Sequence, residues 1–203
     1  NNKHVICEKP FVLNLKNFTK IQSLSKKKSL ICVSAQHQRF REPSIISKRL
    51  IEKNKLGSVY SAHITALLNR SNAVKNEYFT KKKTFGGPMI DLGSHFIDLA
   101  WWMLGRPRPI SIFKYTSNHL AKYLTKNEKV PWNKYDVEDY IFGGIRFEHK
   151  KFITFQMSYL INTQKISKKI EFYGTKGGLL WPEAKLTTIK NNFAIQDFRR
   201  YYY

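Results

Sequence analysis

The chain is poor in cysteine: Cys7 and Cys32 are the only two in 203 residues. Both sit in apolar, strand-like runs, Val5-Ile6-Cys7 and Leu30-Ile31-Cys32-Val33. That spacing excludes a disulfide framework, and two isolated cysteines do not make a zinc site. Two reduced core thiols are expected instead, with no metal. Long apolar runs are also missing. Nothing approaches the roughly 20 residues of a membrane helix, so no membrane partner is expected. No signal peptide is visible, because Asn1-Asn2-Lys3-His4 leads straight into a short strand, and a cytoplasmic location is expected. There is no initiating Met. We expect the chain to start in mid-fold, with its true N-terminus upstream. Tyr201-Tyr202-Tyr203 follows soon after a strand, so the end is expected to be cut as well.

Acidic residues are scarce, 14 against 36 Lys and Arg, for a formal charge of +22. Such a surface makes nucleic acid or an anionic membrane a candidate partner. The lysines are scattered, however, in Lys26-Lys27-Lys28, Lys81-Lys82-Lys83, Lys150-Lys151 and Lys168-Lys169. They fall at element ends and in loops rather than along one stripe. There is no RGG tract, RNP-like aromatic strand or Cys/His finger. We therefore read the charge mainly as solvated surface, partly as attraction for an anionic cofactor or substrate, and expect no nucleic acid. A non-catalytic basic module for nucleic acid or an anionic surface is the rival reading, favoured if the lysines gather on one face.

What is present suffices for a packed core: 42% of residues are hydrophobic and 14% aromatic. Residues 4–8 predict a buried strand, ended by Pro10. Asn14 is a natural N-cap, and Leu15, Phe18, Ile21 and Leu24 then follow helical spacing to Lys28. Leu30 to Val33 predicts a second buried strand. Strand, helix and strand in this order form a βαβ unit with parallel strands. The polar run Gln36 to Phe40 follows a strand's carboxyl end, where open α/β sheets bind ligands. Pro43 opens a helix through Ile45, Ile46, Leu50 and Ile51, with Gly57 as its expected C-cap. Val59 to Leu68 reads as a strand, and residues 69–85 as a long lysine-rich loop. Ser94 to Leu104 is a helix with Phe96, Leu99, Ala100 and Met103 on its apolar face. From Ile110 onward the pattern changes to strands: 110–115, 140–147, 152–158, 169–173, 178–181 and 186–189. This half predicts a largely antiparallel sheet with helices on one face. Phe142, Phe147, Phe155 and Tyr159 are expected to give it an apolar surface for homo-oligomers.

Three side chains carry candidate chemistry. Lys9 ends the first strand, where an ammonium can bond ribose and substrate hydroxyls together; the bland alternative is a surface lysine before a turn. Asp91 and His95 stand four apart at a helix entry, so they share a face. A histidine there can take the proton of an alcohol, and a carboxylate beside it orients the ring. Equally, Asp91 can be a helix cap and His95 a packing residue, and a metal pair is a third possibility that lacks further ligands.

Four segments in order narrow these alternatives: Lys3-His4-Val5-Ile6-Cys7-Glu8-Lys9-Pro10, Gln38-Arg39-Phe40, the run from Gly86-Gly87-Pro88 to Asp98, and Glu171-Phe172-Tyr173-Gly174-Thr175-Lys176-Gly177-Gly178. With them the chain resembles the Gfo/Idh/MocA oxidoreductases. The resemblance implies an α/β protein: residues 1–35 as the C-terminal end of a Rossmann domain, and residues 36–203 as an α+β domain with an open, largely antiparallel sheet that binds substrate and forms oligomers. It implies NAD or NADP, with cofactor contacts at Glu8, Lys9 and Gln38. Substrate contacts fall to Lys9, Arg39, Asp91 and His95, and the catalytic set to Lys9, Asp91 and His95. The implied reaction moves a hydride between the nicotinamide and a sugar, polyol or related hydroxy compound. One departure stands out: no G-x-G-x-x-G phosphate turn occurs in the chain. We therefore expect a fragment, inactive alone, whose pyrophosphate site lies upstream.

Overall fold

A computed structural model describes residues 2–69, 80–122, 135–190 and 193–197. The chain divides into two compact units, Asn1–His37 and Gln38–Tyr203. The first holds β1 (Val5–Cys7), α1 (Leu15–Lys27) and β2 (Cys32–Ser34). β1 and β2 pair in parallel, Val5 opposite Cys32 and Cys7 opposite Ser34. Asn14 caps α1, its Oδ1 accepting from the Asn17 backbone N–H at 2.9 Å, and Lys26 and Lys27 occupy the last turn, where cations suit the dipole.

The expected burial of these strands is not seen. Ile6 is 76% exposed, Cys7 is exposed, Cys32 is half-buried and α1 buries no residue fully. Two strands and one helix offer no second layer to cover the apolar edges. The thiols are free, as read from the sequence, but Cys7 is not a core residue.

A single 3₁₀ turn, His37–Phe40, leads to α2 (Glu42–Glu52) and then β3 (Val59–Leu67) of the second unit. α2 stops earlier than Gly57 implied. Lys53 closes the last turn and Asn54 adopts the left-handed conformation, while Gly57 (φ +68°) makes the turn into β3. A short α3 (Lys81–Thr84), a π-helical turn (Met89–Gly93) and α4 (Ser94–Met103) follow. Then come β4 (Pro109–Ser117), the short α5 (His119–Lys122), β5 (Tyr140–Phe147), β6 (Phe152–Ser158), β7 (Ser167–Gly174), β8 (Gly177–Trp181), β9 (Lys185–Lys190) and β10 (Phe193–Asp197). β10 and α5 were not anticipated, nor was α3, which falls inside the loop expected over residues 69–85. Most of the long loop, and the final Tyr201-Tyr202-Tyr203, lie outside the described residues.

The eight strands form one sheet in the order β10-β9-β8-β7-β3-β6-β5-β4. Among the described strands of that sheet, only β3 and β6 pair in parallel; the other pairs are antiparallel. α2 and α4 pack on one face. Phe96, Leu99, Ala100 and Met103, at helical spacing, meet Ile64, Ile153, Phe155, Phe172 and Trp181 in one core. Ala62 and Ala66 of β3 are fully buried, and small side chains in the central strand let the helix layer approach closely. Trp181 anchors the layer contact: its indole N–H donates to Ser44 Oγ of α2 at 2.9 Å, and its ring meets Phe96 edge-on at 5.8 Å.

This packing corrects the expected oligomer surface. Phe147, Phe155 and Tyr159 are 3%, 0% and 4% exposed, so they belong to the core beneath the helices. Only Phe142, 40% exposed, points away from it. The strand register puts Phe142 beside Tyr115, Gly144 beside Phe113 and Arg146 beside Phe152, and these aromatic side chains share the helix-free face.

Candidate active site

The candidate pair sits at the mouth of the helix layer. Gly86 and Gly87 precede the π-helical turn, and α4 continues from it without a break. Asp91 thus lies in the π turn and His95 in the first turn of α4, both half-buried. π-helical turns of this kind concentrate at functional sites. Sequence spacing predicts the helix from Ser94 onward; the extra turn before it is invisible to that pattern, because apolar periodicity shifts when the turn widens.

Two side chains from beyond the helix hold this turn, and sequence reasoning missed both roles. Glu138, just ahead of β5, accepts the Gly87 backbone N–H on Oε2 at 3.0 Å and the Met89 N–H on Oε1 at 3.1 Å. These are otherwise orphan donors at a helix start, and the carboxylate also complements the dipole. Gly87 is required here because a Cβ would run into the Glu138 carbonyl oxygen and carboxylate. Tyr159, just past β6, donates its hydroxyl to Asp91 Oδ2 at 2.8 Å. Burial raises the Tyr159 phenol far above the ordinary tyrosine range, and the Asp91 carboxylate raises it further. Tyr135 is raised in the same way, by burial first and then by Asp139 and Glu138. Both phenols therefore stay protonated at any pH the fold experiences. Tyr135 also donates to the Glu138 carbonyl at 3.4 Å, at the long limit of such a bond.

The other predicted site residues are placed as follows. Lys9 follows β1 in the first unit, its backbone N–H donating to Glu8 Oε2 at 3.3 Å. Gln38 opens the second unit, and its Oε1 accepts from Arg41 Nη1 at 3.2 Å. Arg39 makes a two-pronged bond to Asp98 of α4, Nε to Oδ2 at 2.8 Å and Nη2 to Oδ1 at 2.5 Å, and lies 5.9 Å from the Trp102 ring centroid. Its guanidinium is thus engaged in tying the 3₁₀ turn to α4, a partner that the i, i+7 position of Asp98 relative to Asp91 did not reveal. The structure brings Asp91 and His95 together on one helical segment. Lys9 belongs to the other unit, and its meeting with them is part of the proposal below. Among the described residues, no group of three or more His, Cys, Asp or Glu side chains is arranged to hold a metal. None of their helices is long and apolar enough to cross a membrane.

Beside the turn opens a cleft of about 560 Å³, walled by Met89 and Ile90 and by the end of β4. Lys81, Lys114, Asp136, Glu138 and Thr116 supply polar groups, while Phe85 and Ile141 supply apolar surface. Mixed charges over an apolar floor suit a polyhydroxylated ring, whose hydroxyls bond both donors and acceptors.

Comparison with known proteins bears on this arrangement. Residues 47–180 match the model of the GFO/IDH/MocA C-terminal domain, well over half of the chain. The D-glucoside 3-dehydrogenase of Escherichia coli (strain K12) is 25% identical over 191 residues, covering 93% of this chain and 54% of that protein. The glucose-6-phosphate 3-dehydrogenase of Bacillus subtilis (strain 168) is 31% identical over 108 residues, covering 50% of this chain and 30% of that protein. The structure of a levoglucosan dehydrogenase in complex with NADH and levoglucosan superposes with a TM-score of 0.75, covering 97% of this chain and 54% of that one. At 21% identity, that likeness carries the fold. The chain spans about half the length, or less, of these relatives.

Proposed function

The chain belongs to the Gfo/Idh/MocA family of oxidoreductases, and from that membership we propose that it is part of an NAD(P)-dependent dehydrogenase that oxidises a ring hydroxyl of a sugar or related polyol. The observation that carries the reading is the Asp91–His95 helical segment, with Asp91 fixed by Tyr159 at 2.8 Å. Relatives named for the oxidation of D-glucosides and glucose 6-phosphate at position 3 support a pyranose ring as substrate.

In this reading His95 takes the hydroxyl proton as the C–H bond of the same carbon gives up its hydride. Asp91 orients the imidazole or a neighbouring hydroxyl. Lys9 polarises the substrate oxygen as it becomes a carbonyl, and with Glu8 meets the ribose at the nicotinamide end. NAD or NADP, when bound, supplies the hydride acceptor. The residues present fit that end of the cofactor, because Lys9 lies just past the carboxyl end of β1, a parallel strand paired with β2. Homo-oligomers form through the helix-free sheet face in this proposal.

The test is His95→Ala in the full-length protein. Turnover falls by about 10²–10⁴-fold, the usual worth of a positioned base, while cofactor affinity changes little. Lys9→Ala damages turnover and cofactor binding together. Unchanged turnover in His95→Ala would mean that His95 is a packing residue.

A further inference from the structure

We propose that Tyr159 is a positioning residue for the reaction, one that holds Asp91 in its carboxylate form and in a fixed orientation. This inference rests on the dehydrogenase reading above for its kinetic consequence, and on the structure alone for its chemical one. Tyr159 is 4% exposed, and its hydroxyl donates to Asp91 Oδ2 at 2.8 Å. A phenol buried this deeply is expected to have a partner for its O–H, and the observed partner is the candidate carboxylate.

The geometry is well suited to fixing one rotamer. Tyr159 follows β6, whose Ile153, Phe155 and Met157 are fully buried under the helix layer. Its N–H donates to the Asp139 carbonyl at 3.2 Å, and the neighbouring Ser158 Oγ donates to the same carbonyl at 2.7 Å while accepting from the Leu160 N–H at 3.2 Å. The ring has only two torsions, and the core occupies the space around it. Asp91, by contrast, stands in a widened helical turn, where backbone geometry is less constraining. The hydroxyl therefore transmits the rigidity of the sheet to one oxygen of the carboxylate.

A hydrogen bond donated to a carboxylate favours the charged form. The titratable groups around this bond are Tyr135 and Glu138 from the segment before β5, Asp139 beside them, and His95 on the helix itself. The two carboxyl groups, Glu138 and Asp139, oppose a further negative charge at Asp91, so the Tyr159 donor acts against a local field that would otherwise favour protonation. A hydrogen bond to a charged group is worth about one to two pH units in the titration of its acceptor.

The decisive substitution is Tyr159→Phe in the full-length enzyme, which removes one oxygen and keeps the ring. The Asp91 carboxyl titration is expected to move up by about one pH unit, and kcat to fall, because the loosened carboxylate no longer orients His95. A purely structural tyrosine would lower thermal stability and leave the Asp91 titration in place. Fluorotyrosine at position 159 keeps the hydroxyl, makes it a stronger donor and is expected to move the Asp91 titration downward; it serves equally if the phenylalanine variant does not fold. Carbon-13 titration of the Asp91 carboxyl in the same proteins reads the proposal without turnover. An unmoved Asp91 titration in either variant overturns it, whatever His95→Ala does. If His95→Ala retains full activity while the Asp91 titration shifts, the dehydrogenase assignment of His95 fails and the role of Tyr159 in fixing Asp91 stands.

Discussion

Replacing Glu138 by Gln isolates the clamp on the helix start. The carboxylate uses one oxygen for the Gly87 N–H at 3.0 Å and the other for the Met89 N–H at 3.1 Å. A carboxamide has a single oxygen. One backbone donor keeps an acceptor, now neutral, and the other faces an NH₂ that is itself a donor. Hydrogen bonds to charged groups contribute about 1.5–3 kcal/mol each, and an unsatisfied donor costs about 1–3 kcal/mol when buried. Glu138 is half-buried, so water relieves part of that penalty. A loss of about 2–3 kcal/mol is expected, which for a domain of this size lowers the melting temperature by roughly 4–12 °C. Differential scanning calorimetry gives the total, and amide hydrogen exchange gives the location: Gly87 and Met89 should exchange faster while β6 and β7 amides do so only through global unfolding. Glu138→Ala loses both bonds without introducing the opposed donor, so its stability should be no worse than that of the glutamine variant by more than about 1 kcal/mol. A glutamine variant that melts within a degree of the parent, with unchanged exchange at Gly87 and Met89, would refute the clamp.

Two further outcomes are expected. Tyr135 and Tyr159 are both raised by burial, so the folded state keeps protons that the unfolded chain releases near the ordinary tyrosine value of 10.0. Stability should be insensitive to these groups below about pH 10 and fall above it, as urea midpoints across pH 8–11 would show; a tyrosinate absorbance titration in which every phenol ionises normally in the folded protein would contradict the burial argument. The aromatic residues on the helix-free sheet face, Phe113, Tyr115, Phe142 and Phe152, are 58%, 59%, 40% and 42% exposed, a concentration that favours association of copies. Light scattering should show an oligomer that Phe142→Glu dissociates, and a full-length protein that stays monomeric at high concentration would count against it.

The sequence was most legible where periodicity and burial coincide. The apolar face of α4 and the strands from β5 to β8 follow directly from spacing, because one side of each element must face the core. Orientation across a sheet is harder. Phe142 and Phe155 look alike as aromatic strand residues, yet one is exposed and the other buried, and only the pairing register separates them. The same ambiguity hid Tyr159: as a member of an aromatic series it reads as surface, whereas its position one residue past β6 aims it at Asp91. Glu138 was illegible for a different reason. Its partners are backbone amides about fifty positions earlier, and no residue-type pattern marks an amide that needs an acceptor. Burial in the first unit was misjudged because an apolar run states only what a strand would prefer, while covering it takes a second layer of structure.

The strand order has a consequence for how this chain is made. β3 is the first strand of the second unit to be synthesised, yet it lies inside the sheet between β7 and β6. Its parallel partner begins at Phe152, 85 positions after Leu67. At about 5–20 residues per second, the ribosome needs roughly 4–17 s to deliver that partner, and longer to deliver β7. During that interval a nine-residue strand with two open edges, Val59–Leu67, is outside any sheet. It is apolar enough to attract other chains, so the interval is a window for binding by a holdase chaperone and for aggregation under rapid expression. Weaker transcription, which lowers the number of nascent chains present together without slowing each ribosome, should raise soluble yield more than added stability in the finished protein does, because the vulnerable species exists before β6 and β7 have been made.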